Sequence, residues 1–165
     1  MTQPWAAVVA VGNPYRRDDG AGLAALAALR ASPPGAVPGG VRLAQVDGEP
    51  TRLLDAWDGV RLAVVVDAAT CLPARPGRVH RAAFRHGALE AGPGAGSGAA
   101  GTSSHGLGLP EAVELGRLLD RLPERLVLLT VEAADVGYGD GLTPAVAAAV
   151  PDLVRAIRTE LTAPG

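Results

Sequence analysis

One segment near the start of the chain constrains the fold more than any other. Residues 8–29 read VVAVGNPYRRDDGAGLAALAAL, and the apolar run at 8–11 is typical of a buried strand. The Gly-Asn-Pro sequence at 12–14 has the chemistry of a turn. Asp18 and Asp19 follow, and an Ala/Leu-rich helix completes the segment. This order predicts an open α/β sheet, in which loops at the carboxyl ends of the strands bind ligands.

The tandem carboxylates of Asp18 and Asp19 allow a structural and a functional interpretation. An aspartate commonly caps a helix N-terminus, where it contributes about 0.5–2 kcal/mol. One aspartate satisfies that need, which leaves the second available for binding. Asn13 is the only asparagine of the chain, and both a turn role and a binding role are open for it.

The same loop argues against a nucleotide phosphate as its ligand. It lacks the G-x-G-x-x-G pattern, and the chain contains no lysine that could serve a phosphate-binding loop. Two carboxylates would also repel a phosphate at a helix N-terminus. A cation therefore fits this loop better than a phosphate does.

The remainder of the chain alternates between predicted strands and helices. Further strands are expected at residues 41–46, 62–66, 78–84 (an edge strand) and 126–131. Helices are expected at residues 51–57 with Thr51 as the N-cap, at 109–122, and from Thr143 to about residue 161. The alternation predicts a single α/β domain over residues 1–165, with helices on both faces of one sheet. The glycine-rich residues 87–101 are predicted to form a flexible loop within that domain.

The composition excludes several classes of protein. The formal net charge of −2 provides no basic field for nucleic acid. No apolar run reaches the roughly 18 residues of a membrane span, so no membrane insertion is expected. The N-terminus lacks the charged region of a secretory signal. Cys71 is the single cysteine, so no internal disulfide can form, and together these features predict a cytoplasmic protein.

Three polar residues occupy positions where chemistry is favoured. Asp19 follows the first predicted strand, Asp67 terminates the third, and His105 precedes the helix before the last strand. We expect these side chains to converge at one edge of the sheet, where two carboxylates and an imidazole suit a divalent transition metal. Asp67 could instead cap a turn, and His105 could be an ordinary surface histidine. Because all three lie on loops, we expect partly exposed side chains whose replacement changes stability by no more than about 1 kcal/mol.

The other candidate residues are weaker. His80 and His86 lie in or just after the predicted edge strand and are expected to be solvated. Cys71 could act as a nucleophile, but its acidic neighbourhood would raise the pKa of the thiol and disfavour the thiolate. Ser104 adjoins His105, and adjacent residues cannot readily form the bond from Oγ to the imidazole. No G-x-S-x-G sequence is present.

Four sequence blocks together resemble the hydrogenase maturation endopeptidases. They are GNPYRRDDGAG at 12–22, VVVDAA at 64–69, SSHGLGL at 103–109 and GLTPAV at 141–146. The resemblance implies a three-layer α/β/α sandwich of the phosphorylase/hydrolase-like type. Its five-stranded, mostly parallel sheet would include one antiparallel edge-type strand. The implied activity is that of a protease that removes a C-terminal extension from the large-subunit precursor of a nickel-iron hydrogenase.

The resemblance also implies roles for individual residues. Asp19, Asp67 and His105 match the positions at which the family binds metal and cleaves its substrate. Some relatives have glutamate where this chain has Asp19. The implied metal is nickel carried by the substrate, although zinc or cadmium could occupy the same site. Two alternatives stay open: a metal-dependent peptidase or amidase acting on another substrate, and a non-catalytic nickel-sensing chaperone.

Overall fold

The computed structural model describes residues 2–90, 102–103 and 108–163. Within these residues the chain forms seven β-strands and four α-helices. The strands are β1 (Ala6–Val11), β2 (Val41–Val46), β3 (Leu62–Thr70), β4 (Val79–Arg85), β5 (Ala88–Leu89), β6 (Thr102–Ser103) and β7 (Arg125–Glu132). The helices are α1 (Ala21–Arg30), α2 (Pro50–Trp57), α3 (Gly108–Leu118) and α4 (Pro144–Thr162), and a short 3₁₀ helix (Arg17–Gly20) precedes α1.

All the strands belong to one mixed sheet, in the order β2-β1-β3-β7-β4-β5. Strands β2, β1, β3 and β7 are parallel, whereas β4 runs antiparallel to β7. The two-residue strands β5 and β6 pair antiparallel with β4 and β3. The five predicted strands are therefore confirmed. The structure adds two strands of two residues each, which are too short to show a periodic pattern in the sequence.

Helices cover both faces of the sheet. Successive strand residues point to opposite sides, and both sides carry apolar side chains that must be buried. Val8, Val64 and Val127 face one side, where they join the buried side chains of α1 and α4 in one apolar cluster. Val9 and Val65 face the other side and pack with α2 and α3. The predicted three-layer α/β/α sandwich is confirmed. None of the helices formed by the described residues is long and apolar enough to cross a membrane.

The start of α2 differs from the prediction. Glu49, not Thr51, is the N-cap, and its carboxylate accepts hydrogen bonds from the backbone N–H groups of Thr51 and Arg52. Pro50 occupies the first helical turn, where its missing N–H group costs nothing. The glutamate side chain is long enough to reach two of the free donors at this helix end.

Several element boundaries also differ from the prediction. Strand β3 extends to Thr70 rather than to residue 66, because it keeps pairing with β7 beyond the apolar run. Helix α3 ends at Leu118, four residues earlier than the pattern predicts. Ala88 and Leu89 pair with β4, whereas residues 91–101 lie outside the described residues. The flexible loop at 87–101 stays a prediction.

Candidate active site

The carboxyl edge of the parallel strands is built by close backbone approaches that require glycine. A Cβ atom at residue 12 would lie 2.2 Å from the backbone oxygen of Asp19, so the turn after β1 can close only around Gly12. A Cβ atom at residue 22 would lie 2.7 Å from the backbone oxygen of Val66 and 3.3 Å from that of Val11. The first turn of α1 therefore rests directly on the ends of β1 and β3, which are parallel neighbours.

Asp19 lies in the 3₁₀ helix that this packing holds against the sheet. Its side chain is completely buried, and its Oδ2 accepts a hydrogen bond of 2.9 Å from the backbone N–H group of Asn13. The side-chain oxygen of Asn13 in turn accepts from the backbone N–H group of Tyr15. The structure therefore gives Asn13 a turn role. The expectation that Asp19 is partly exposed was wrong, because the helix start packs tightly over the strand ends.

Asp67 lies inside β3 and does not follow it. Asp67 pairs with Thr130 of β7, and the pairing of the two strands continues as far as Ala69 and Glu132. The residue is only 5% exposed, and its Oδ1 accepts a 2.8 Å hydrogen bond from the N–H group of Ala68. The predictions of a loop position and of partial exposure were therefore both wrong. The prediction that Asp19 and Asp67 lie at the same edge of the sheet is nevertheless confirmed, because β1 and β3 are parallel neighbours and both end there.

Asp18 has a structural role that the sequence did not indicate. It does not cap α1, whose N-cap is Gly20 without a side-chain hydrogen bond. Its buried carboxylate accepts hydrogen bonds from the backbone N–H groups of Ala134, Asp135 and Thr143, at 2.8, 2.9 and 2.7 Å. The Thr143 hydroxyl donates to the same carboxylate. Asp18 thus fastens the β7–α4 loop to the β1–α1 loop.

The pKa of Asp18 reflects these hydrogen bonds. Burial raises the pKa of the carboxyl, but the hydrogen bonds from Thr143, Asp135 and Ala134 outweigh it, so the pKa is lowered from its ordinary value. Asp18 is therefore a charged anchor. The structural role that was open for the two adjacent aspartates belongs to Asp18, and Asp19 stays a candidate ligand.

His105 and Ser104 lie outside the described residues, so the third predicted ligand has no observed position. The preceding strand β6 is described and approaches Asp67. Thr102 pairs with Thr70, and Ser103 pairs with Ala69. The chain at Ser103 is therefore two residues along β3 from Asp67.

A second group of polar side chains lies at the same edge, where the sequence suggested only weak candidates. His80 is not simply solvated: its Nε2 lies 2.6 Å from Oε1 of Glu132, while His86 is exposed as expected. Glu132 is buried at the end of β7. Burial and the nearby negative charge of Glu132 raise the pKa of the Cys71 thiol, which bears out the expected direction and disfavours an activated nucleophile. The imidazole of His80 lowers the pKa of Glu132.

A comparison with solved structures finds several proteins of the same fold. The hydrogenase maturating endopeptidase HybD from E. coli is 22% identical, covers 92% of this chain and 88% of its own, and gives a TM-score of 0.71. The [NiFe] hydrogenase maturation protease HybD from Thermococcus kodakarensis is 23% identical, with coverage of 95% and 99% and a TM-score of 0.72. An endopeptidase from Escherichia coli solved in solution is 20% identical, with coverage of 92% and 88% and a TM-score of 0.74.

These likenesses concern the fold. No protein-family model matches the chain, and a search of curated proteins gives no significant match. At identities of 20–23% the structural agreement still extends over nearly the whole of this chain. The chain therefore has the same α/β/α architecture as these hydrogenase maturation proteases.

Proposed function

We propose that this protein is an endopeptidase that removes the C-terminal extension of a nickel-iron hydrogenase large-subunit precursor. The observation that carries the proposal is the pair of buried carboxylates, Asp19 and Asp67, at the carboxyl edge of a fold shared with hydrogenase maturation proteases. The sequence blocks that contain these residues resemble the blocks of that family. The single cysteine, Cys71, favours a reducing cytoplasm as the place of action.

Asp19 and Asp67 are suited to hold a cation. Both carboxylates are buried at the same edge of the sheet, Asp19 in the 3₁₀ helix after β1 and Asp67 in the neighbouring strand β3, where a bound cation would offset the cost of burying their charge. We assign the third ligand to His105, because β6 heads toward Asp67 and the chain then continues to this residue. An O,O,N donor set of this kind fits nickel or zinc.

Nickel in this proposal arrives with the substrate and is recognised there as the sign of a completely loaded precursor. A metal ion bound between enzyme and precursor can polarise a peptide carbonyl or activate a water molecule. The residues of this chain orient the precursor tail through that contact. The donor set contains no thiolate, so it binds a metal ion less tightly than a structural zinc cage does and leaves the site free to receive one.

The proposal is tested with a precursor prepared in nickel-loaded and nickel-free forms. Each is incubated with the enzyme, and the mass of the product is measured over time. We expect the loaded form to lose its C-terminal extension and the nickel-free form to stay intact. Asp19→Asn and Asp67→Asn should each slow cleavage by at least about 100-fold, the usual cost of losing a catalytic acid–base or ligand group.

Asp120→Asn is the matched control. Asp120 is an exposed aspartate in the α3–β7 connection, at the opposite edge of the sheet, and its φ of 54° is one that asparagine tolerates. This variant should cleave at the wild-type rate. Circular dichroism at the assay temperature must show that Asp19→Asn and Asp67→Asn are folded, because each removes a buried hydrogen-bond acceptor and its charge, at about 1–3 kcal/mol.

Three outcomes would contradict the proposal. Wild-type cleavage by Asp67→Asn would remove its assigned role. Equal cleavage of the two precursor forms, or of unrelated peptides, would indicate a peptidase that does not read nickel. Maturation supported by Asp19→Asn without any cleavage would indicate a chaperone.

A further inference from the structure

Cys71, His80 and Glu132 form a compact cluster that the proposed proteolysis does not use. One ligand atom from each residue lies within 4.8 Å of the other two. The residues come from three segments: the end of the β3–β4 loop nearest β3, the start of β4, and the end of β7. Strand β7 lies between β3 and β4 in the sheet, so its register with both strands brings the three side chains together.

We propose that this cluster is a binding site for a divalent transition-metal ion of the zinc type. Its donors would be the sulfur of Cys71, a ring nitrogen of His80 and a carboxylate oxygen of Glu132. Sulfur, imidazole and carboxylate ligands are the three kinds that zinc takes in proteins. The proposal does not depend on the proposed function, because neither Asp19 nor Asp67 contributes to it.

The cluster has the burial expected of a three-ligand site with one open position. Cys71 is 8% exposed and the Glu132 side chain is 4% exposed, whereas 32% of the His80 side chain is exposed. Solvent can therefore reach the ion from the His80 side and supply a fourth ligand. No hydrogen bond joins the buried Cys71 sulfur to another of the residues that the structure describes, so this donor is available.

Glu132 is already oriented for such a role. Its Oε2 accepts a 2.5 Å hydrogen bond from the backbone N–H group of Arg75, which fixes the carboxylate and leaves Oε1 facing His80. Outer contacts of this kind orient the ligands of metal sites and strengthen binding. The backbone hydrogen bond from Glu132 to Arg78 further ties the strand end to the loop.

The distances permit an ion with small side-chain adjustments. Bond lengths of about 2.0–2.3 Å in a tetrahedral site separate ligand atoms by about 3.3–3.6 Å. The His80–Glu132 contact of 2.6 Å must therefore open by about 0.8 Å to admit the ion. The widest separation in the cluster, which is at most 4.8 Å, must close by no more than about 1.3 Å. On binding, the Cys71 S–H bond breaks, the sulfur–metal bond forms and the proton passes to the buffer.

Cobalt(II) is the probe, since it replaces zinc in such sites and its bond to a thiolate gives an intense ultraviolet charge-transfer band. Cys71 is the only thiol of the chain, so the band reports this site alone. We expect one equivalent of cobalt to produce the band in the full-length wild-type protein, and zinc to displace it. Cys71→Ser should abolish the band. In titrations followed by this band, His80→Gln and Glu132→Gln should each bind cobalt at least about 10–100-fold more weakly, the loss seen even for outer-shell contacts.

His86→Asn is the matched control. His86 is exposed, and its φ of 48° is compatible with asparagine, so this variant should bind as wild type does. Asp67→Asn should also keep the band, which separates this site from the proposed active site. Two results would overturn the inference: no charge-transfer band for folded wild-type protein in excess cobalt, or equally tight binding by His80→Gln. His80→Gln decides the matter if Glu132→Gln fails to fold.

Discussion

Replacing Asp18 tests whether this aspartate is a structural anchor and not a ligand. Its carboxylate receives three backbone N–H groups, those of Ala134, Asp135 and Thr143. Asp18→Ala leaves all three donors without their acceptor, at about 1–3 kcal/mol for each donor that stays buried. Ala134 and Asp135 are exposed as residues, so water can reach part of the gap, and the lower part of the range applies. We expect a loss of about 3–5 kcal/mol in the free energy of unfolding.

Asp18→Asn separates the charge from the size of the side chain. It keeps the volume and one oxygen, but it turns an amide N–H toward backbone donors, and we expect a loss of about 1.5–3 kcal/mol. Both variants are measured by urea unfolding followed by far-UV circular dichroism, with an unchanged slope against urea as the sign of an intact native state. Asp120→Asn, an exposed aspartate, should change stability by less than about 0.5 kcal/mol.

The pH dependence gives an independent check. The pKa of Asp18 is lowered in the folded protein from its ordinary value of 3.8, so the stabilisation by the charged carboxylate is fully present above that value and is lost as the pH falls through the lower folded pKa. The stability difference between wild type and Asp18→Asn should therefore shrink below about pH 4. A difference that is under about 0.5 kcal/mol at neutral pH, or that does not shrink on acidification, would refute the assigned role.

Two further substitutions test the close packing of α1 against the strand ends and a partly buried ion pair between α4 and β4. Gly22→Ala should lower the free energy of unfolding by about 1–3 kcal/mol, because the new methyl group meets the Val66 carbonyl and this outweighs the gain of about 1 kcal/mol in helix propensity. Gly39→Ala has open space around it and should be close to neutral, so equal urea midpoints for the two variants would contradict the packing argument. Glu160→Gln should cost about 1–3 kcal/mol, because Glu160 is buried and its carboxylate accepts two hydrogen bonds from Arg81. An unchanged thermal midpoint would show that this ion pair contributes nothing.

The local sequence determined most of the architecture. The apolar runs at residues 8–11, 62–66 and 126–131 fall inside the central strands β1, β3 and β7, because a strand buried on both faces needs an almost continuous apolar run. The segment at 41–46, which includes Arg42 and Gln45, forms β2 at one side of the sheet and is only partly buried. The Gly-Asn-Pro turn directly follows the first run, so residues close to Asp19 in the sequence already place it at the carboxyl edge of the sheet. Both the fold class and this edge could therefore be predicted from residues near one another in the chain.

Contacts between distant segments decided the rest. The resemblance singled out Asp19 as a ligand, but no local pattern showed the anchoring role of Asp18, because the partners of Asp18 lie 116 to 125 residues away. Asp67 belongs to β3 only because β7 continues to pair beside it. Cys71, His80 and Glu132 meet only because the registers of three strands coincide. The sequence by itself determined where carboxylates reach the edge of the sheet. The tertiary structure decided that Asp18 anchors the loops, because hydrogen-bond partners and burial are properties of the assembled sheet.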